Sequence, residues 1–353
     1  MNRILTLCVA VMVSLAAVQL AAQNKAKAEN VPTIPHTSVP NFFKLPADLY
    51  FGEGIGIATN SKGHVFVYHR SGDTRLFEFD QNGAFLKEWG VGNYGSEFAH
   101  QVRVDPQDNV WVVDEGTNML IKFNPQGRVA MVLGRRPEPV AGATQTTLPP
   151  VLDQKYKFGR PTDVAWDAQG NIFIPDGYVN SRVVKYDKNG RFLAQYAGGE
   201  RGPGPNQLNT PHSIATDAQG SVYVADRGNQ RIVVLDNNLK WKTNYENVGN
   251  PWAVCISPGA HQYLYSSNSN PDSNSPASSW DITGEIYKME LDGKIIGKFG
   301  KAGKGLGEFS TVHEIDCRNP DQLFVSEISA WRAQKIILSP DKMQTSTGSS
   351  AAR

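Results

Sequence analysis

The chain has 353 residues, a formal net charge of +1, 20% charged residues and 10% aromatics. A balance this even carries no message to an acidic partner, and the basic residues nowhere cluster with stacking aromatics, which excludes a nucleic-acid footprint. Thirty-three glycines and 21 prolines fit many short strands joined by turns, and no long amphipathic helical pattern competes.

Arg3, an apolar run from Ile4 to Val18 and the small residues Ala21 and Ala22 follow the charge, core and cleavage order of a secretory signal peptide. Residues 1–22 are therefore expected to be removed and the rest exported, to a periplasm or out of the cell; Ala26-Lys27-Ala28 is a second candidate cleavage site. The run is about 15 residues, short of the ~20 that span a bilayer, and no second run follows, so no membrane span is expected. Cys8 sits too early in the run, behind Leu7, for a lipoprotein anchor.

Residues 23–39 are polar, proline-containing and unpatterned and read as a disordered lead-in. Asn41 to Leu45, with Phe42 and Phe43, reads as a short strand that pairs with the last repeat and closes a ring. Beyond it the chain repeats itself. Asn209 to Asp236 shows the unit most clearly: Ile214, Val222 to Val224 and Ile232 to Val234 are β-forming runs, separated by turn residues at Asp217 to Gly220 and Asp226 to Asn229. The same core recurs at Ile55–Val67, His100–Val112, Thr162–Ile174, His212–Val224, Trp252–Tyr265 and His313–Val325. Starts lie roughly 40 to 62 residues apart, near the ~40 to 50 of blade repeats. A lone unit cannot bury both faces of its sheet, so six units predict an all-β six-bladed propeller over residues 40–338.

Arg135 to Lys157, rich in proline, lengthens the link between units two and three, and Ser266 to Trp280 lengthens unit five; long loops on a rigid ring suit substrate contacts. Ser339 to Arg353 has no apolar pattern and is expected to be disordered. Cys255 lies three positions after Trp252 and Cys317 four after His313, so their side chains leave the strands on opposite faces and are not expected to pair.

Of the seven histidines, His100, His212 and His313 share one register, in every second unit; Ile55, Thr162 and Trp252 stand there in the others. In a six-bladed ring the three would converge on the axis ~120° apart. Three neutral imidazoles facing one point leave a fourth coordination position open, as in catalytic zinc sites. Asp114, Asp176 and Asp226 end the second strands and are expected to brace turns through side-chain to backbone hydrogen bonds. The next register, Arg70, Glu115, Gly177, Arg227, Asn268 and Ile328, falls at one mouth of the ring. There Arg70 and Arg227 suit a substrate carboxylate, and Tyr178, behind Gly177, can hang its phenol into the same opening.

Four strings carry a family likeness: Asp226-Arg227-Gly228-Asn229-Gln230-Arg231-Ile232, Tyr68-His69-Arg70, Asp176-Gly177-Tyr178-Val179-Asn180-Ser181-Arg182 and Pro211-His212-Ser213. Together they resemble the peptidyl-α-hydroxyglycine α-amidating lyases, which are built on NHL-type repeats, and the likeness covers the whole propeller. The resemblance implies His100, His212 and His313 as zinc ligands, Tyr178 as the catalytic phenol, and Arg70 and Arg227 as active-site residues. Of the two arginines, Arg70 is the expected neighbour of the phenol and Arg227 the expected holder of the carboxylate. The implied reaction splits the C–N bond of a peptidyl-α-hydroxyglycine into a primary amide and glyoxylate. Its substrate is a small molecule or peptide with a carboxylate, supplied by a separate hydroxylating monooxygenase.

The chain also departs from the family. Thr311 replaces a methionine, Glu314 replaces an aspartate linked to structural calcium, and the family's propeller disulfides have no matching cysteines. For calcium, Glu314 and the Val102 carbonyl remain as ligands. The rival readings are a metal-dependent propeller hydrolase, a lactonase or esterase that would want carboxylate or asparagine ligands, and a non-catalytic NHL binding module, which has no use for histidine in alternate blades.

Overall fold

A computed structural model describes residues 31–93, 95–136, 155–269 and 284–339. The segment expected to be a signal peptide, the tail beyond residue 339 and most of both insertions lie outside the described residues. Within them the chain forms six four-stranded antiparallel sheets, the six-bladed propeller expected from the repeats. The innermost strands are Glu53–Thr59, Ala99–Val104, Ala165–Trp166, Pro211–Thr216, Pro251–Ile256 and Val312–Asn319.

Neighbouring blades cover each other, which is why the second strands Val110–Asp114, Ile172–Asp176 and Val222–Asp226 are buried from end to end. The core accordingly lies between sheets: Ala253, Tyr265 and Ile286 of blade five pack with Val312, Val325 and Ile336 of blade six. Asp114, Asp176 and Asp226 brace the turns as expected, accepting backbone N–H groups of Phe98, Gly159 and Asn209 at 2.8, 2.8 and 2.7 Å.

Four expectations need correction. The ring is closed by His36–Ser38, paired with Arg332–Leu338 in the register His36 to Leu338, and not by Asn41 to Leu45. An edge strand held through its backbone needs no apolar pattern, so His36-Thr37-Ser38 left none to read. The aromatics of the next segment instead pack across the seam, Phe42 on Phe324 of blade six and Phe43 on Phe51 and Phe79 of blade one. Consequently the part of the lead-in from Val31 onward is ordered, and Ile34 is a core residue at 1% exposure.

In blade five, Ser266, Ser267 and Asn268 are not insertion but the end of the strand Leu264–Asn268, fully buried. Asn268 pairs with Pro251, the position Asp226 holds opposite Pro211, so Ser269 takes the turn register in its place. Two buried hydroxyls are accommodated by the next blade, where the Val312 carbonyl accepts from Ser267 and Ser269 at 3.3 and 2.7 Å.

Cys255 and Cys317 form a disulfide, with Cα atoms 6.0 Å apart. Alternation does place them on opposite faces, but their strands belong to adjacent blades. In a ring the front of one blade meets the back of the next, so opposite faces are the ones that touch.

Candidate active site

What aims the three histidines is a bulge. In blade four Pro211 pairs with Asp226 and Ser213 with Ala225, leaving His212 as the extra residue; His100 lies between Ala99–Asp114 and Gln101–Val113, and His313 between Val312–Glu327 and Glu314–Ser326. A bulged residue is freed from the ladder and its side chain is re-aimed, here toward the axis. The three rings stand 4.7 to 4.8 Å apart between centroids, and one nitrogen from each lies within 4.8 Å of the others.

Each remaining nitrogen is tied down. Nδ1 of His100, His212 and His313 lies 2.5, 2.7 and 2.8 Å from the carbonyls of Thr162, Trp252 and Ile55, the very residues that hold the same register in the intervening blades. A carbonyl can only accept, so each Nδ1 carries the proton and Nε2 offers its lone pair to the channel. All three are buried, and burial holds their pKa values well below the usual histidine range, with Arg70 or Arg227 pushing the same way. His212 Nε2 is buried with no hydrogen-bond partner among the described residues. Neutral, oriented imidazoles with such an orphaned nitrogen are a donor set that fits a borderline-soft divalent ion such as zinc.

Tyr178 comes to this cluster as expected: its hydroxyl is 3.2 Å from His100 Nε2 and its ring meets His100 and His212 edge-on. Burial raises the phenol's pKa; Arg227 and, less, Arg70 pull it down, while Glu115 works against them. Arg227 thus acts on the phenol more strongly than Arg70, the first candidate for that role. Its guanidinium stacks between the rings of Tyr178 and Trp252, 5.5 and 4.2 Å from their centroids. Arg70 is committed to the protein: Nε donates to Glu53 at 2.7 Å, Nη1 to the Ala99 carbonyl at 3.0 Å and to Glu115 at 3.3 Å, and the fork lies over Phe98.

Two neighbours went unread in the sequence. Glu115, 2% exposed, sits between Arg70 and Arg160, whose Nη2 is 3.1 Å away; burial raises its pKa, and Arg160 and Arg70 oppose this. Arg160 also lies 4.6 Å over the Tyr178 ring and accepts the Tyr178 N–H at its carbonyl, 3.3 Å. The register had marked position 115 but not the use of its charge; Arg160, at φ 60° in the link before blade three, carried no signal. Glu314, expected on calcium with the Val102 carbonyl, is fully buried and lies 2.7 Å from Arg103 Nη1.

A family model described as NHL repeat matches residues 208–235. Over 318 residues the chain is 31% identical to a Caenorhabditis elegans protein named probable peptidyl-alpha-hydroxyglycine alpha-amidating lyase, spanning 81% of this chain and 83% of that one. With peptidyl-glycine alpha-amidating monooxygenase A of Xenopus laevis it shares 28% identity over 331 residues, 84% of this chain but 33% of the longer protein. Among solved structures it is similar to a streptogramin B lyase, with TM-score 0.52 and 16% identity over 87% of this chain and 98% of that one. It is similar also to a Xanthomonas campestris gluconolactonase, with TM-score 0.54 and 14% identity over 88% and 97%. At such identities these two share the fold alone.

Proposed function

The chain belongs to the peptidyl-α-hydroxyglycine α-amidating lyases, and we propose that it uses zinc to split an N-acyl-α-hydroxyglycine into a primary amide and glyoxylate. The observation that carries this reading is the convergence of three Nε2 lone pairs beside a phenol hydroxyl, under two arginines. Zinc on His100, His212 and His313 would supply Lewis acidity, which lowers the pKa of a bound hydroxyl by several units.

The chain's own groups account for the rest. Tyr178 as its phenolate takes the proton of the substrate hydroxyl, the freed electron pair forms the C=O bond of glyoxylate, and the C–N bond breaks. The amide nitrogen then takes that proton back from the Tyr178 hydroxyl, so Tyr178 ends as it began. A phenol of ordinary pKa ~10, raised further by burial, is a poor base at neutral pH; Arg227 and Arg70 work against that burial. Arg227 receives the substrate carboxylate, because Arg70 is already clamped by Glu53 and Glu115. Arg70 therefore sets the local charge and keeps Glu115 in place.

Export follows from residues 1–22, and the Cys255–Cys317 disulfide suits the oxidising compartment it implies. The test is glyoxylate release from an N-acyl-α-hydroxyglycine by purified zinc-loaded protein; cleavage of lactones or aryl esters with no glyoxylate from the carbinolamide would hand the protein to the hydrolase class.

A further inference from the structure

One residue beyond each axial position, the propeller presents a second ring: Gly56, Gln101, Asp163, Ser213, Ala253 and Glu314. The guanidinium of Arg103 reaches three of its members, Asp163, Ser213 and Glu314. Arg103, on the innermost strand of blade two, grips Asp163 with two nitrogens, Nε to Oδ1 at 2.9 Å and Nη2 to Oδ2 at 2.6 Å. Its Nη1 lies 2.7 Å from Glu314 Oε1. Nη2 also reaches Ser213 Oγ at 3.2 Å and the Val254 carbonyl at 3.4 Å. One side chain thereby ties blade two to blades three, four, five and six.

Both carboxylates are fully buried, and Glu314 Oε1 has Arg103 as its ion-pair partner and no hydrogen bond among the described residues. Asp163 accepts from Ser213 Oγ at 2.8 Å and from the backbone of Val164 and Ile214 at 2.8 and 3.0 Å, and Glu314 accepts from the Gln101 amide. Blade one makes room by having no side chain at all: a Cβ on Gly56 would come 2.4 Å from the Val102 nitrogen and 2.8 Å from Gln101 Oε1.

We propose that Arg103 is the ring's built-in axial cation, standing where the family resemblance puts structural calcium, so that this propeller closes without that metal. Calcium needs six to eight oxygens at ~2.3 to 2.6 Å, and the acidic oxygens at hand already face a guanidinium. Arginine keeps its charge at every accessible pH, and its planar fork matches a carboxylate on two sides at once. Removing one partner of a buried ion pair is strongly destabilising, and here the chain itself supplies the cation that faces both carboxyl groups.

The experiment reads metal content and unfolding temperature, not turnover, so it stands apart from the lyase assignment. Zinc-loaded wild-type protein, dialysed against calcium-free buffer, is expected to hold well under one calcium per chain by elemental analysis. Millimolar calcium chloride should then leave its Tm within about 1 °C. One calcium per chain surviving dialysis, or a rise of about 3 °C or more on adding calcium, overturns the proposal. Arg103→Ser leaves Asp163 and Glu314 facing each other; it is expected to unfold at lower temperature and to recover part of the loss with calcium. An Arg103→Ser protein with wild-type Tm in calcium-free buffer would also overturn it. Should that variant fail to fold, Arg103→Lys, which keeps the charge, is expected to fold and to remain insensitive to calcium; a calcium-dependent Tm there would count against Arg103 as the cation.

Discussion

His212 combines a bulged backbone, an Nδ1 fixed by the Trp252 carbonyl and a buried Nε2 with no protein partner. A side chain held so firmly with one nitrogen unpaired is the one on which to test the proposed zinc site. His212→Ala is expected to lose zinc and activity together while keeping its β-sheet circular dichroism, because the inter-blade clusters carry the stability; full zinc occupancy in the variant would refute the metal site. Tyr178→Phe keeps the ring and removes the hydroxyl that lies 3.2 Å from His100. A proton-transfer role predicts a loss of roughly 10²-fold or more in kcat, and near-normal turnover would move that role to another group. His69, beside Arg70, makes a prediction about pH. Burial, with Arg75 adding to it, lowers its pKa to about 4, and its Nδ1 accepts the Gly52 N–H at 3.2 Å. The folded pKa lies below the unfolded value of ~6.5, so the stability that neutral His69 provides is complete above ~6.5 and is lost as pH falls toward about 4. That loss is on the order of 3 kcal/mol. Replacing it with His69→Phe removes the titration, so the Tm gap between wild type and variant should narrow from pH 7 to pH 5; a gap that ignores pH would show that His69 is not held neutral.

At the scale of elements, the turns that follow the second strands decide the chemistry of the mouth, and the structure sorts their arginines. Arg70 is pinned by Glu53, Glu115 and the Ala99 carbonyl, whereas Arg227 lies over the rings of Tyr178 and Trp252, beside the phenol, and is the arginine proposed to meet the substrate carboxylate. A hydrogen bond to a charged group contributes ~1.5 to 3 kcal/mol, about one to two powers of ten in rate. The acid form of an N-acyl-α-hydroxyglycine should therefore be cleaved ~10- to 100-fold faster than its methyl ester. In Arg227→Ala the gap should shrink through loss on the acid side; equal wild-type rates for acid and ester would mean that the arginines do not read the substrate. The turns themselves were legible, since Asp114, Asp176 and Asp226 brace them as their spacing implied. Blade five was misread by one residue because its strand ends in Ser266-Ser267-Asn268, polar residues that look like loop until the Val312 carbonyl of the next blade accepts the hydroxyls of Ser267 and Ser269.

For the whole molecule, closure is what keeps six similar sheets in one rigid ring with a common axis. It is secured on the outside by His36–Ser38 on the last blade, between blades five and six by Cys255–Cys317, and near the axis by Arg103. The disulfide closes a loop of 62 residues in sequence, for which chain entropy gives on the order of 4 kcal/mol. The double variant Cys255→Ser/Cys317→Ser should fold, bind zinc and turn over, but unfold several degrees lower. An unchanged Tm would show that the blade interface alone holds this part of the ring.

Repeat number, blade architecture, the three axial histidines and, at the mouth, Arg70, Tyr178 and Arg227 were readable from the chain, because a periodic fold writes the same local pattern six times and any departure at one register stands out. The tertiary structure decided what depends on a partner far away in sequence. The bulges that turn the histidines inward are a property of strand pairing, and the carbonyls that set their tautomers come from neighbouring blades. Glu115 and Arg160 meet at Tyr178 only because the ring brings two links together. The cysteines pair because adjacent blades touch through opposite faces, a relation that alternation within one strand does not contain. Likewise Arg103 reads in sequence as one more polar residue on a strand; only the closed ring gathers Asp163, Ser213, Val254 and Glu314 around it.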